Sequence, residues 1–251
     1  RSGHRSGRIG RVSLTPQLPL ALRPAPDFRF ETFVGAPEVP ARLRAMAAGE
    51  PGFVLLSGPE GSGKTHLAIA TAQAAAAAGL AVQYVPLVRL QGRVEQGLAG
   101  LDRLGLAVLD GLDAVLGARA DEVALFDFHN RCQAAGCAVL YVARQTPAGL
   151  AVDLPDLRSR LGQCIQLTLP RSDDALRTAI LQRKAQDRGW VLDEAAVGYL
   201  LRRVGRDMAS LVALLEQLDR VSLAEQRRVT VPLIRAFLQQ AGDGGEATGA
   251  P

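Results

Sequence analysis

Eight consecutive residues, Gly58-Pro59-Glu60-Gly61-Ser62-Gly63-Lys64-Thr65, fit the spacing GxxxxGK[ST] and restrict the fold more than any other stretch of the chain. The apolar run Phe53-Val54-Leu55-Leu56 before them predicts a buried parallel strand, and Thr65-His66-Leu67-Ala68-Ile69-Ala70 after them predicts a helix. The glycines therefore fall on a strand-to-helix turn. There, backbone N–H groups converge on a polyphosphate, and the helix N-terminus adds favourable potential. Lys64 is placed to neutralise the β and γ charges, and the Thr65 hydroxyl to hold Mg²⁺. A chance glycine-rich turn would lack this agreement of strand, loop and helix.

The alternation continues downstream. A short helix is expected near 39–48, a strand at 53–57 and a long helix over 64–78 closed by Gly79. Further strands are expected at 81–86, 106–110, 138–143 and 165–169, with a helix over 121–134 stopping near Gly136. That order predicts an α/β fold, a parallel sheet with helices on both faces. After Pro170 the pattern turns helical: a helix capped by Ser172 and ending at Gly189, then helices near 193–204, 207–224 and 230–240. The expected organisation is thus an arm over 1–29, a nucleotide-binding domain over 30–170, a small all-α domain over 171–240 and a disordered tail over 241–251.

Composition supports a soluble protein, with 48% hydrophobic and 22% charged residues among 251. The net charge of +4 argues little for nucleic acid, because Arg1, Arg5, Arg8 and Arg11 sit in a Gly/Ser-containing start. Cys132, Cys137 and Cys164 show neither a CxxC nor a zinc spacing, which fits a reducing cytoplasm. The Ala-rich stretch 67–82 reads as the helix after the glycine loop rather than a membrane span, and no signal peptide is evident.

Within the proline-bearing arm, Gln17-Leu18-Pro19-Leu20-Ala21-Leu22 sets Leu18, Leu20 and Leu22 at alternate positions behind Gln17. Such an extended strip suits an apolar groove on a partner. Leu106-Ala107-Val108-Leu109-Asp110 is apolar up to a strand-end carboxylate, which suits a Mg²⁺-holding role for Asp110. The next residue is Gly111, where an ATPase of this architecture usually places an acidic residue, and Asp113 lies two residues beyond.

A P-loop sheet followed by a helical lid is the arrangement of AAA+ proteins. Gly63-Lys64-Thr65-His66-Leu67, Tyr84-Val85-Pro86-Leu87, Phe126-Asp127-Phe128-His129-Asn130-Arg131, Leu154-Pro155-Asp156-Leu157-Arg158-Ser159-Arg160-Leu161 and Gln217-Leu218-Asp219-Arg220 resemble the Hda family, the shorter DnaA-related AAA+ proteins of regulatory inactivation. The likeness covers about residues 15–240. It implies ADP or ATP held by residues 58–66, His66 included, with Mg²⁺ at Thr65 and Asp110. It also implies sliding-clamp binding through Gln17, Leu18, Leu20 and Leu22, homo-oligomer formation, and an arginine finger in the segment ending at Arg160, preferred over Arg158. The implied partners are the initiator DnaA and the clamp.

Two positions depart from the family pattern: Arg144 replaces a small polar sensor, and Ala209 replaces a lid arginine, for which Arg206 offers partial compensation. With Gly111, these departures weaken self-hydrolysis. The expected activity is therefore a cytoplasmic regulator that converts DnaA-ATP to its ADP form. The competing readings are a self-sufficient ATPase of helicase-loader type and an initiator fragment. The second would need a helix-turn-helix domain, and only eleven low-complexity residues follow Gln240.

Overall fold

The period-two alternation of three strands decides where everything else packs. In the computed structural model, which describes residues 28–187, most of 189–203 and scattered positions between 211 and 234, the strands are β1 (Phe53–Ser57), β2 (Val82–Pro86), β3 (Leu106–Asp110), β4 (Ala138–Ala143) and β5 (Ile165–Thr168). All are parallel, in the order β2-β3-β4-β1-β5. Leu55, Ala107, Leu109, Val139 and Tyr141 face one buried core, and Val54, Leu56, Leu106, Val108, Leu140 and Val142 face the other. Strands covered on both faces need helices on both sides.

Those helices are α1 (Glu38–Ala47) and α2 (Lys64–Ala77) on one face, and the single turn α3 (Val94–Gly97), α4 (Arg119–Ala135) and α5 (Pro155–Gln163) on the other. Sequence periodicity locates β1 to β5 and the helices α1, α2 and α4 closely, but gives no sign of the single turn α3 or of α5. Its nine residues bury only Leu157 and Leu161, too short an apolar repeat to stand out from a loop. Gly136 ends α4 in a left-handed conformation, as expected of a helix-terminating glycine.

After β5, α6 (Asp174–Gln186) and α7 (Glu194–Arg203) contribute to a third core with Leu181, Val197, Leu200, Leu211, Leu215 and Ile234. The cap of α6 corrects the sequence reading. Asp173, not Ser172, is the N-cap residue, its Oδ1 accepting the Leu176 amide at 2.7 Å. Ser172 is buried instead. A carboxylate at this position answers both the orphan amide and the positive end of the helix dipole. Only scattered positions of the helices expected near 207–224 and 230–240 are among the described residues, and the strip Gln17–Leu22 and the tail lie outside them.

Inside the sheet domain, the ring of His129 on α4 stacks on Phe53, with centroids 4.1 Å apart, and its Nδ1 pairs with the Tyr141 hydroxyl at 3.1 Å. Burial, reinforced by the charge of Arg160, lowers its pKa from 6.5 to about 4. The unfolded chain thus takes up this proton near pH 6.5 and the folded one only near 4, so stability is complete above 6.5 and declines as pH falls through that window. The total is roughly 3 kcal/mol. Urea titrations at pH 7 and pH 4.5 are expected to show this loss, and His129→Gln to flatten it; an unchanged pH slope in the variant would contradict the assignment.

Candidate functional site

Register brings the site together at the carboxyl edge of the sheet. Pro86, Asp110 and Val142 are neighbours across β2, β3 and β4, and Ser57 lies beside Ala143 across β1 and β4. The loop 58–63 leaves β1 at this edge and feeds α2, so the start of that helix faces the end of β3. A cavity of about 990 Å³ opens there.

Its floor is the glycine loop. Glu60, Gly61, Ser62, Gly63, Lys64, Thr65 and His66 all line the cavity. Gly58 passes beneath them against the Leu169 carbonyl, while the Pro59 carbonyl accepts the Lys64 ammonium at 2.6 Å. Gly63 has φ +93° and lies so close to Phe33 that a Cβ would stand 2.8 Å from its ring. Any side chain there would be strained and in collision. The hydroxyl of Ser62 is buried without a hydrogen-bond partner. An orphaned hydroxyl on the glycine loop, beside a lysine turned in on its own loop, fits a polyphosphate cradle.

Electrostatics agree. Burial lowers the Lys64 ammonium below its ordinary value, against the raising pull of Asp110, Asp113 and Glu60 and with added lowering from Arg144. A bound anion would reverse that balance and hold the lysine charged. Opposite the loop, Asp110 Oδ2 accepts two hydroxyl hydrogen bonds, from Thr65 at 2.8 Å and from Tyr84 at 2.7 Å. Burial, aided by the Asp110 charge, keeps the Tyr84 phenol protonated far above its usual range.

The two positions beyond Asp110 where a carboxylate would matter differ sharply. Gly111 has φ +85°, a left-handed conformation that glutamate adopts only under strain. Asp113 lines the cavity but its Oδ2 accepts the Arg144 backbone amide at 2.7 Å. Arg144 itself lines the cavity.

Sequence reasoning missed one whole wall. Phe28, Thr32, Phe33 and Val34 close the cavity from the N-terminal side, and Leu176, Ile180 and Lys184 of α6 close it from the lid side. His66 ties the first group down: its Nε2 meets the Arg29 carbonyl at 2.7 Å, and Phe28 and Phe33 abut its ring edge-on at 5.4 and 5.6 Å. Three phenylalanines at 28, 30 and 33 after a proline-rich stretch were the available signal. Arg158 and Arg160 lie elsewhere, on α5, and neither lines the cavity.

A five-stranded parallel sheet with a phosphate-cradling loop at the end of its β1, and a helical lid closing the cavity, defines a AAA+ nucleotide-binding protein. Known proteins agree. Residues 26–131 match the family described as IstB-like ATP binding protein, and residues 174–238 match the lid domain of Hda. An uncharacterized protein from Haemophilus influenzae is 34% identical over 232 residues, 90% of this chain and 99% of that one. Among solved structures, domain III of the replication initiation protein DnaA from Thermotoga maritima superposes with a TM-score of 0.71 at 19% identity, over 86% of this chain and 97% of that one. AMPPCP-bound DnaA from Aquifex aeolicus gives 0.64 at 18% identity, over 77% and 65% of the two chains. The RuvB branch migration motor of Thermotoga maritima gives 0.60 at 23%, over 84% and 71%. The chain belongs to the Hda family of DnaA-related AAA+ proteins.

Lys64→Ala removes the only lysine of the loop while leaving its backbone amides in place. Nucleotide affinity is expected to fall by at least tenfold, on the order of one charge-assisted hydrogen bond or more. Unchanged affinity by calorimetry would dismiss the cradle.

Proposed function

We propose that this protein is a regulatory adaptor of replication initiation: it holds ADP or ATP in its own cradle, is tethered to the sliding clamp by Gln17, Leu18, Leu20 and Leu22, and supplies Arg160 to ATP bound by DnaA. Lys64, the loop amides and Ser62 would hold the phosphates. Thr65 and Asp110 would hold Mg²⁺, and among the described residues no cluster of three acidic, histidine or cysteine side chains could bind a metal without phosphate. The ion would neutralise phosphate charge.

The observation that carries this reading is the placement of Arg160. It stands outside the cavity in which its own chain's nucleotide would lie, on a helix of the domain surface. Arg158 is turned back on the Val152 carbonyl, whereas no ion pair among the described residues engages Arg160. A guanidinium so placed suits a phosphate presented by a neighbouring molecule. Homo-oligomer contacts of the same kind are part of the proposal. In the site itself, Gly111 lacks a carboxylate to orient water, so retention of nucleotide is favoured over its hydrolysis. The rival, a self-sufficient ATPase, draws on Asp113, which lines the cavity.

An arginine finger is worth roughly 10³ to 10⁵ in hydrolysis rate. Arg160→Ala and Arg160→Lys are expected to bind nucleotide normally yet fail to accelerate hydrolysis of DnaA-bound ATP, with Arg158→Ala milder, because lysine keeps the charge without the planar fork. Full stimulation by Arg160→Ala would refute the finger, and fast turnover by the protein alone would favour the rival. Gln17→Ala combined with Leu18→Ala is expected to abolish clamp binding at an unchanged melting temperature; surface plasmon resonance on immobilised clamp that shows wild-type affinity would remove the tether.

A further inference from the structure

Glu122, on the first turn of α4, is fully buried, an expensive place for a carboxylate unless its oxygens are saturated. They are. Oε1 accepts the amides of Gly117 at 2.8 Å and Asp153 at 3.0 Å, and Oε2 accepts those of Asp153 at 3.0 Å and Leu154 at 2.6 Å. Burial pushes this carboxyl up, but the Asp153, Gly117 and Leu154 amides, helped by Arg119, outweigh it and hold the pKa below its ordinary value.

The partners matter more than their number. Leu154 is the N-cap residue of α5, and its apolar side chain caps nothing. The turn leading into the helix that bears Arg160 is therefore tied down from α4. Pro155 at the first helical position has no amide to satisfy, so Glu122 meets the last two amides before the helix. The same turn is held by its carbonyl side too, through Arg158 and Val152. The adjacent Asp121 serves a different segment, accepting the Gly92 and Val94 amides at 2.7 and 3.4 Å. Glu122 is the one committed to α5.

We infer that Glu122 is the positioning residue of the arginine finger, its carboxylate fixing the start of α5 and so the point from which Arg160 reaches out. This rests on the proposed role of Arg160. Arg160 lies six positions beyond Leu154, about 9 Å along the helix. A tilt of about 10° at the tied end would move the finger by about 1.5 Å, and misplacement by about 1 Å can lower a rate on the order of a hundredfold. Neither Glu122 nor its hydrogen bonds touch the nucleotide cavity.

The test uses the full chain with Glu122→Gln, which keeps size and reach but has only one acceptor oxygen, and Glu122→Asp, which keeps the charge but is one methylene short. Three readouts are compared with wild type and Arg160→Ala: nucleotide affinity, hydrogen exchange by peptide, and the rate of DnaA-ATP hydrolysis as a function of added protein. For both Glu122 variants, exchange over 150–158 is expected to quicken at least tenfold while peptides of β1 and the glycine loop stay protected. The saturating stimulated rate is expected to fall at least tenfold, with nucleotide affinity and half-saturating concentration within about twofold of wild type. Wild-type stimulation by Glu122→Gln alongside loss in Arg160→Ala would overturn the inference and spare the finger. Quickened exchange throughout the sheet domain would also overturn it, reducing Glu122 to a core residue. Full stimulation by Arg160→Ala would instead bring down the finger itself.

Discussion

Covering a parallel sheet on both faces leaves one polar margin free for chemistry, and the rest of this structure follows from that constraint. With β1, β3 and β4 buried between two helical layers, only the ends of the strands can present unpaired backbone amides and charged side chains to a ligand. The crossing order β2-β3-β4-β1-β5 puts β4 between the strand that launches the glycine loop and the strand that ends in Asp110. Thr65 nevertheless reaches Asp110, because the loop carries the start of α2 across the intervening strand. The hydroxyl pair on Asp110 thus joins β2, β3 and α2 at a single oxygen.

What the sequence made legible was whatever rests on local pattern. The glycine loop, its flanking strand and helix, and the terminal Asp110 were readable because each needs particular residue types at fixed spacing. The wall made by Phe28, Phe33, Leu176 and Ile180 was not, since it is assembled from two segments some 140 residues apart in sequence and only folding makes them neighbours. Strand order was equally hidden, for parallel strands joined by helices can be arranged in several ways at the same periodicity. The cap of α6 shows a finer limit. Ser172 and Asp173 are both good cap residues, and their neighbours decide between them, burying the hydroxyl and leaving the carboxylate to meet the Leu176 amide.

The two buried carboxylates of α4 are organised by backbone, not by ion pairs. Asp121 and Glu122 sit side by side on α4, and among the described residues their side chains accept from main-chain amides of Gly92, Val94, Gly117, Asp153 and Leu154. Side-chain ion pairs such as Arg131–Asp102 and Arg183–Asp187 lie toward solvent, where they add little. A carboxylate that accepts several amides is more specific than an ion pair, because amides of a turn are fixed in direction while long side chains swing. Neither acid stands out in the sequence, where an Asp-Glu pair opening a helix looks like an ordinary solvated first turn.

The clasp between His66 and the segment Phe28–Phe33 anchors the chain's leading segment at the rim of the nucleotide cavity rather than at a remote corner of the domain. Ten residues lie between that anchor and Gln17, a contour of at most roughly 40 Å. A partner that bound the strip Gln17–Leu22 would be held within that contour of the mouth of the cradle, an effective concentration in the millimolar range.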